Sequence, residues 1–219
     1  MVTATIRYRL LGKGGKYQTA KSPADCLADA KSAMRFFRAH ADEFSMDPNR
    51  IGASGGSAGG HLAAALNTVK GFDDSKDDKS IPSEANALVL IYPAFDLIDG
   101  WKDGINQCKK YGIDVKDFSP ATLADKTFPP AIILVGNLDP VSPPASNEAF
   151  MKRMNPTGVS IELFTYAGKA HKLFERDRAD PHFQSYLIHS SRFFQELGWI
   201  GKRDLPALPD IQFTHVRIP

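Results

Sequence analysis

Between Arg50 and Leu66 the chain reads RIGASGGSAGGHLAAAL, with Gly55, Gly56, Gly59 and Gly60 around Ser57 and a run of small apolar residues behind them. Arg50–Ser54 has the composition of a short strand, and the stretch from Ser57 on has that of a helix. The glycines between them allow a sharp strand-to-helix turn in which backbones approach closely. A fold built on this segment needs a strand that feeds straight into a helix packed back on its own sheet. That is the unit of an α/β architecture.

The rest of the chain repeats that alternation. Five β-rich runs stand out: Thr3–Leu10, Arg50–Ser54, Ala87–Ala94, Ala131–Asn137 and Ser160–Tyr166. The third and fourth are nearly continuous apolar runs, as in parallel strands covered on both faces. Ser22-Pro23, with Asp25 three residues after the serine, starts a helix whose apolar stripe runs through Leu27, Ala30, Met34, Phe37, Ala41 and Phe44. Ser142 is the expected cap of a helix carrying Ala149, Phe150 and Met154. Asp180-Pro181 opens a last helix with Phe183, Leu187, Phe194 and Leu197 on one stripe before Gly198. The prediction is an α/β fold with a mainly parallel sheet flanked by helices, in one domain spanning 1–219 with a core at 3–198 and a C-terminal arm at 199–219. Phe72–Ser80, rich in Asp and Lys, reads as a solvated loop, and residues 96–126 as an aperiodic excursion.

Composition narrows the function classes. A formal charge of +2 and a sequence pI near 8.5 are too mild to point to nucleic acid or a membrane surface. No apolar run reaches membrane-span length. The first residues lack the zones of a signal peptide, so a cytoplasmic location is expected. Cys26 and Cys108 have neither metal-ligand spacing nor a disulfide framework and read as reduced structural thiols.

Gly55-Gly56-Ser57-Ala58-Gly59 fits the Gly-x-Ser-x-Gly pattern, which presents a serine hydroxyl above a sheet with the N–H of the next residue, here Ala58, pointing into the same space. A serine needs a base to take its proton, and the base needs an acid to orient it. In folds that carry this turn the partners follow in the order serine, acid, histidine, each on a loop after a later strand. Asp139 follows the Ala131–Asn137 run and His171 follows the Ser160–Tyr166 run. Asp96 also follows a strand and is the rival acid. His61 lies one helical turn past Ser57, and His40, His182, His189 and His215 fall on helices or the tail; all five are read as structural or surface residues. No metal or organic cofactor is called for.

These residues resemble a known family. DPNRIGASGGSAGGHLA, LVLIYPAFD, PPAIILVGNLDPVSP and YAGKAHKLF are similar to the acetyl-esterase and lipase group of α/β-hydrolases, related to hormone-sensitive lipase. Several members of that group act on carbohydrate esters such as acetylated or feruloylated xylan. The resemblance covers roughly residues 5–198. It implies Ser57 as nucleophile, Asp139 as acid, His171 as base and the Ala58 N–H as one oxyanion donor. Ala170 and Lys172 stand where the family often has glycine.

The resemblance departs at the front. The family's His-Gly-Gly-Gly loop, source of the other oxyanion donors, has no counterpart, and Tyr8–Leu10 resembles the end of the fourth strand. That leaves a strand slot beside Arg50–Ser54, to be filled either by Thr3–Leu10 or by another chain, which makes a homodimer a candidate assembly. Gly14 or Gly15 in Leu11–Gly15 are candidate surrogate donors, against a plain flexible loop. The function implied is a serine carboxylic-ester hydrolase acting on a small-molecule or carbohydrate ester. The alternatives are a weak or inactive remnant serving as a binding module, and a peptidase of the prolyl-oligopeptidase type.

Overall fold

The computed structural model describes residues 1–12, 18–174, 177 and 179–219. Its sheet has five strands in the order β1 (Gly52–Gly56), β2 (Ala87–Ile91), β3 (Ala131–Gly136), β4 (Ile161–Tyr166) and β5 (Phe213–Ile218). The first four are parallel and β5 is antiparallel to β4. Parallel neighbours require crossovers, and helices supply them. The crossovers are α2 (Ala58–Thr68), α3 (Lys102–Lys110) with α4 (Pro120–Leu123), and α5 (Pro144–Met154); α1 (Pro23–Ala39) precedes β1 and α6 (Pro181–Glu196) lies between β4 and β5.

Strand alternation divides the core in two. Leu88, Leu90, Ile133, Val135, Ile161 and Leu163 face a cluster built with α1, α2 and α5. Val89, Ile132, Leu134, Phe164 and Tyr166 face the opposite cluster, with Phe193 of α6 buried and Phe183, Tyr186, Phe194 and Trp199 packed around it. β2 and β3 are buried on both faces, which is why their sequences show no polar alternation. Each buried Leu, Ile or Val there contributes roughly 1.5–3 kcal/mol of transfer free energy.

Several expectations change. Thr3–Leu10 forms no strand. It is irregular and mostly exposed, tied to α1 where Arg9 pairs with Asp29 and Cys26 Sγ donates to the Arg9 carbonyl. β-propensity alone cannot hold a strand without a ladder partner, and β1 is not offered one by this segment. β1 is therefore a sheet edge, with Gly52 and Ser54 exposed and no strand on its outer side among the described residues. At the other edge, the tail beyond Gly201 is more than an arm: Phe213–Ile218 pairs with β4 along its length, Phe213 opposite Tyr166 and Ile218 opposite Ile161.

The charged run Phe72–Ser80 is also more than a solvated loop. Arg35, buried on α1, binds Asp73 at 2.6 Å and Asp77 at 2.8 Å, and buried Lys31 donates to the carbonyls of Val69 and Gly71. Burial alone would penalise these cations, and the acidic run and carbonyls compensate them. Residues 96–126 hold α3 and α4 and put Leu97, Cys108, Phe118 and Ala121 into the core. On α6 the buried positions are Ser185, Ile188, His189 and Phe193, while Leu187 is exposed. The helix is rotated from the predicted stripe because Ser185 turns inward to meet the Tyr166 hydroxyl at 2.8 Å.

Candidate active site

β1 ends in a turn that places Ser57 at φ 54°, ψ −122°, a conformation costing a non-glycine residue of order 1–3 kcal/mol. The surroundings hold it there. The Ser57 N–H donates to the Ile91 carbonyl at 3.0 Å, and its carbonyl accepts from the N–H of His61 at 3.0 Å and of Ala94 at 3.1 Å. A Cβ on Gly55 would lie 2.3 Å from the Gly59 backbone, and one on Gly60 would lie 2.9 Å from Pro93. Gly59 is different: a Cβ there meets nothing within 4 Å, so crowding does not explain this glycine. Ala58 opens α2, and its N–H belongs to the helix's unpaired first turn.

Asp139 stands on the loop after β3, buried at 2% exposure. Its Oδ1 accepts the N–H of Val141 at 2.8 Å and of Ser142 at 2.9 Å. Ser142 is thus not the cap of α5, which starts at Pro144 after Pro143; its N–H serves the carboxylate instead. Fully buried Asn147 fixes this loop by donating to the Ser142 carbonyl and hydroxyl and to the Pro143 carbonyl. Burial pushes the Asp139 carboxyl upward, but hydrogen bonds from His171, Ser142 and Val141 outweigh it and hold the group below the usual carboxylate range.

His171 follows β4. Its Nδ1 lies 2.9 Å from Asp139 Oδ2 and 3.0 Å from Oδ1, and its Nε2 lies 2.7 Å from Ser57 Oγ. Facing a carboxylate that can only accept, Nδ1 carries the proton, which leaves the Nε2 lone pair for the serine. The histidine loop reaches the acid loop because position 136 is glycine. A Cβ on Gly136 would stand 2.1 Å from the Lys169 carbonyl oxygen, the group that accepts the Leu138 N–H at 2.9 Å. Tyr92 was not singled out by the sequence either. Its ring packs edge-on against the His171 imidazole, centroids 5.1 Å apart.

The structure therefore brings Ser57, Asp139 and His171 together from 114 and 32 residues apart along the chain. It leaves the rivals elsewhere. Asp96 accepts the N–H of Ile98 and Asp99 and the Ser146 hydroxyl. His61 is buried with Nδ1 3.2 Å from the Ala94 carbonyl, and burial depresses its pKa to about 4. His40, His182 and His215 have local partners at Phe36, Asp180 and Glu162, and His189 is buried against Phe164. The suggested donors Gly14 and Gly15 lie outside the described residues. Among the described residues no His, Cys, Asp and Glu cluster has metal-holding geometry.

Comparison with known proteins places the chain among esterases of this fold. The BD-FAE family model matches residues 1–154. The apo form of esterase 2 from Thermogutta terrifontis is 35% identical, with a TM-score of 0.77 over 85% of this chain and 70% of that one. A probable isoprenylcysteine alpha-carbonyl methylesterase of Arabidopsis thaliana is 26% identical over 198 residues, 81% of this chain and 40% of that protein. The acetylxylan esterase of Xylanibacter ruminicola is 23% identical over 194 residues, 83% of this chain and 36% of that protein. The chain thus spans about two-fifths of the length of the curated relatives it matches. The family match, the parallel sheet and the esterase likeness converge, and the chain belongs to the BD-FAE family and has the α/β-hydrolase fold.

Proposed function

We propose that this chain is a serine carboxylic-ester hydrolase with Ser57 as nucleophile, His171 as general base and acid, and Asp139 as the orienting carboxylate. The observation that carries the proposal is the unbroken relay from Ser57 Oγ through both nitrogens of His171 to a buried carboxylate, at 2.7 and 2.9 Å. Ser57 Oγ attacks the ester carbonyl as Nε2 takes its proton. The Ala58 N–H, at the positive end of α2, supports the oxyanion. The imidazolium returns its proton to the leaving alcohol, and water then cleaves the acyl-enzyme by the same route.

The substrate class proposed is acetyl or feruloyl esters of carbohydrates, supported by the likeness to an acetylxylan esterase. p-Nitrophenyl acetate turnover by the wild type against Ser57→Ala tests the reaction, and acetylated xylan against simple alkyl esters tests the substrate class. Equal rates for wild type and Ser57→Ala reject the enzymatic reading. A second reading, a hydrolase scaffold with weak or no turnover, is favoured by one observation. Ala58 is the only oxyanion donor assigned among the described residues, and loss of one donor costs on the order of 10²–10³ in turnover. The homodimer belongs to this proposal as well, formed through the open β1 edge; a sedimentation profile of pure monomer at micromolar concentration rejects it.

A further inference from the structure

Tyr92 sits where β2 leaves the sheet, and its backbone is doubly unusual. Its φ is +37°, in the left-handed region that bulky side chains avoid. It also precedes Pro93, a position that ordinarily favours extended backbone. Three fixed points maintain this conformation. The Tyr92 N–H continues the ladder to the Leu134 carbonyl at 2.6 Å. Pro93 lies so near α2 that a Cβ on Gly60 would come within 2.9 Å of it. Ala94 donates to the Ser57 carbonyl and accepts from His61 Nδ1.

What the strained backbone delivers is the ring. The Tyr92 side chain lies beside the last residue of the nucleophile strand, where a Cβ on Gly56 would be 3.0 Å from its hydroxyl and 3.1 Å from two ring carbons. From there it packs edge-on against His171, with an interplanar angle of 67°. Phe174 is a further ring neighbour, its centroid 6.5 Å from that of Tyr92. His171 stands on a loop and keeps 29% of its side chain exposed, so Asp139 and Ser57 fix its two nitrogens and a packed neighbour must fix the plane of its ring.

We propose that Tyr92 is a positioning residue for the base: its ring, seated beside Gly56 by a strained backbone, sets the orientation of the His171 imidazole between Ser57 and Asp139. This rests on the hydrolase reading for its consequence in turnover, but the contact itself is testable without catalysis. The ring of Tyr92 carries the function, and its hydroxyl does not. Tyr92→Phe therefore behaves as wild type, whereas Tyr92→Gly, which relieves the positive φ and keeps the chain folded, loses the packing.

The experiment has two arms. In the first, p-nitrophenyl acetate kinetics are measured for wild type, Tyr92→Phe and Tyr92→Gly, with melting temperatures. A displaced base predicts kcat about 10- to 100-fold lower in Tyr92→Gly, KM within about twofold and kcat restored in Tyr92→Phe. A purely structural role would lower the melting temperature and leave kcat per folded molecule unchanged, which would overturn the proposal. So would Tyr92→Phe as impaired as Tyr92→Gly. In the second arm, proton NMR follows the downfield Nδ1–H signal of His171, assigned by its loss in His171→Asn. The signal is expected in wild type and Tyr92→Phe and broadened beyond detection in Tyr92→Gly; a sharp, unshifted signal in Tyr92→Gly overturns the proposal. If wild type shows no turnover, the hydrolase reading fails while this second arm still decides the role of Tyr92.

Discussion

Replacing Asp139 by Asn removes a charge and, in this loop, also dictates which way the new amide faces. Oδ1 of Asp139 accepts two backbone N–H groups, from Val141 at 2.8 Å and Ser142 at 2.9 Å, while Oδ2 faces His171 Nδ1 at 2.9 Å. An asparagine has one acceptor oxygen. If that oxygen stays on the two N–H groups, the amide NH₂ points at Nδ1, which must then accept, and the remaining ring proton moves to Nε2, facing Ser57 Oγ. If the amide flips, both N–H groups lose their acceptor and meet an NH₂ instead. Leaving each unsatisfied costs about 1–3 kcal/mol, so the flip costs roughly 2–6 kcal/mol against one recovered bond of about 1 kcal/mol. The net of roughly 1–5 kcal/mol favours the non-productive tautomer by a factor on the order of 10 to 10³. Loss of the carboxylate that stabilises the imidazolium adds to this, and a fall in kcat of about 10³–10⁴ is expected. The assay is p-nitrophenyl acetate turnover at pH 7 by Asp139→Asn, with circular dichroism to verify folding. A variant that retains more than a tenth of wild-type kcat would refute the argument.

Gly136→Ala drives a Cβ into the Lys169 carbonyl, now 2.1 Å away, so the His171 loop must retreat by about 1 Å; turnover falls on the order of 10²-fold and the melting temperature drops, and unchanged kinetics would contradict the packing. Gly55→Ala, 2.3 Å from the Gly59 backbone, abolishes soluble folded protein or labelling of Ser57, whereas Gly59→Ala, with open space at its Cβ, leaves stability equal or higher by up to about 1 kcal/mol in urea unfolding. Acid stability follows from His61 and His189, whose burial lowers both pKa values to about 4 from 6.5. Between those values the unfolded chain binds protons that the native chain does not, so stability present above pH 6.5 declines towards pH 4, by about 1.4 kcal/mol per pH unit for each group. The shift amounts to roughly 3 kcal/mol per histidine. The depressed Asp139 carboxylate adds a loss at still lower pH, as it titrates through its native pKa. Urea midpoints at pH 7 and 4.5 test this, and His189→Phe, which keeps the stack on Phe164, flattens the dependence; an equal slope in that variant would contradict it.

The site was legible because its chemistry is punctuated. A serine among glycines, an acid directly beyond one apolar strand and a histidine directly beyond the next mark three loops at one end of a parallel sheet, and the contacts at 2.7 and 2.9 Å follow from that order. Its supports were not legible. Asn147, Gly136 and Tyr92 act through tertiary approach, and nothing in their neighbouring residues announces which carbonyl or ring they will meet. The same limit explains the fold differences. Thr3–Leu10 has strand composition, yet a strand exists only with a partner; Phe213–Ile218, FTHVRI, alternates weakly and becomes one because β4 presents a free edge. Asp73 and Asp77 read as surface charge because Arg35, their partner, lies on the other side of α2 in sequence.

The most direct measurement is the mass of the protein after incubation with a fluorophosphonate, followed by mapping of the adduct. A single phosphonyl adduct on Ser57 is expected, absent from Ser57→Ala and strongly slowed in His171→Ala. A folded wild-type protein that stays unlabelled, or an adduct on a different residue, would contradict Ser57 as the nucleophile.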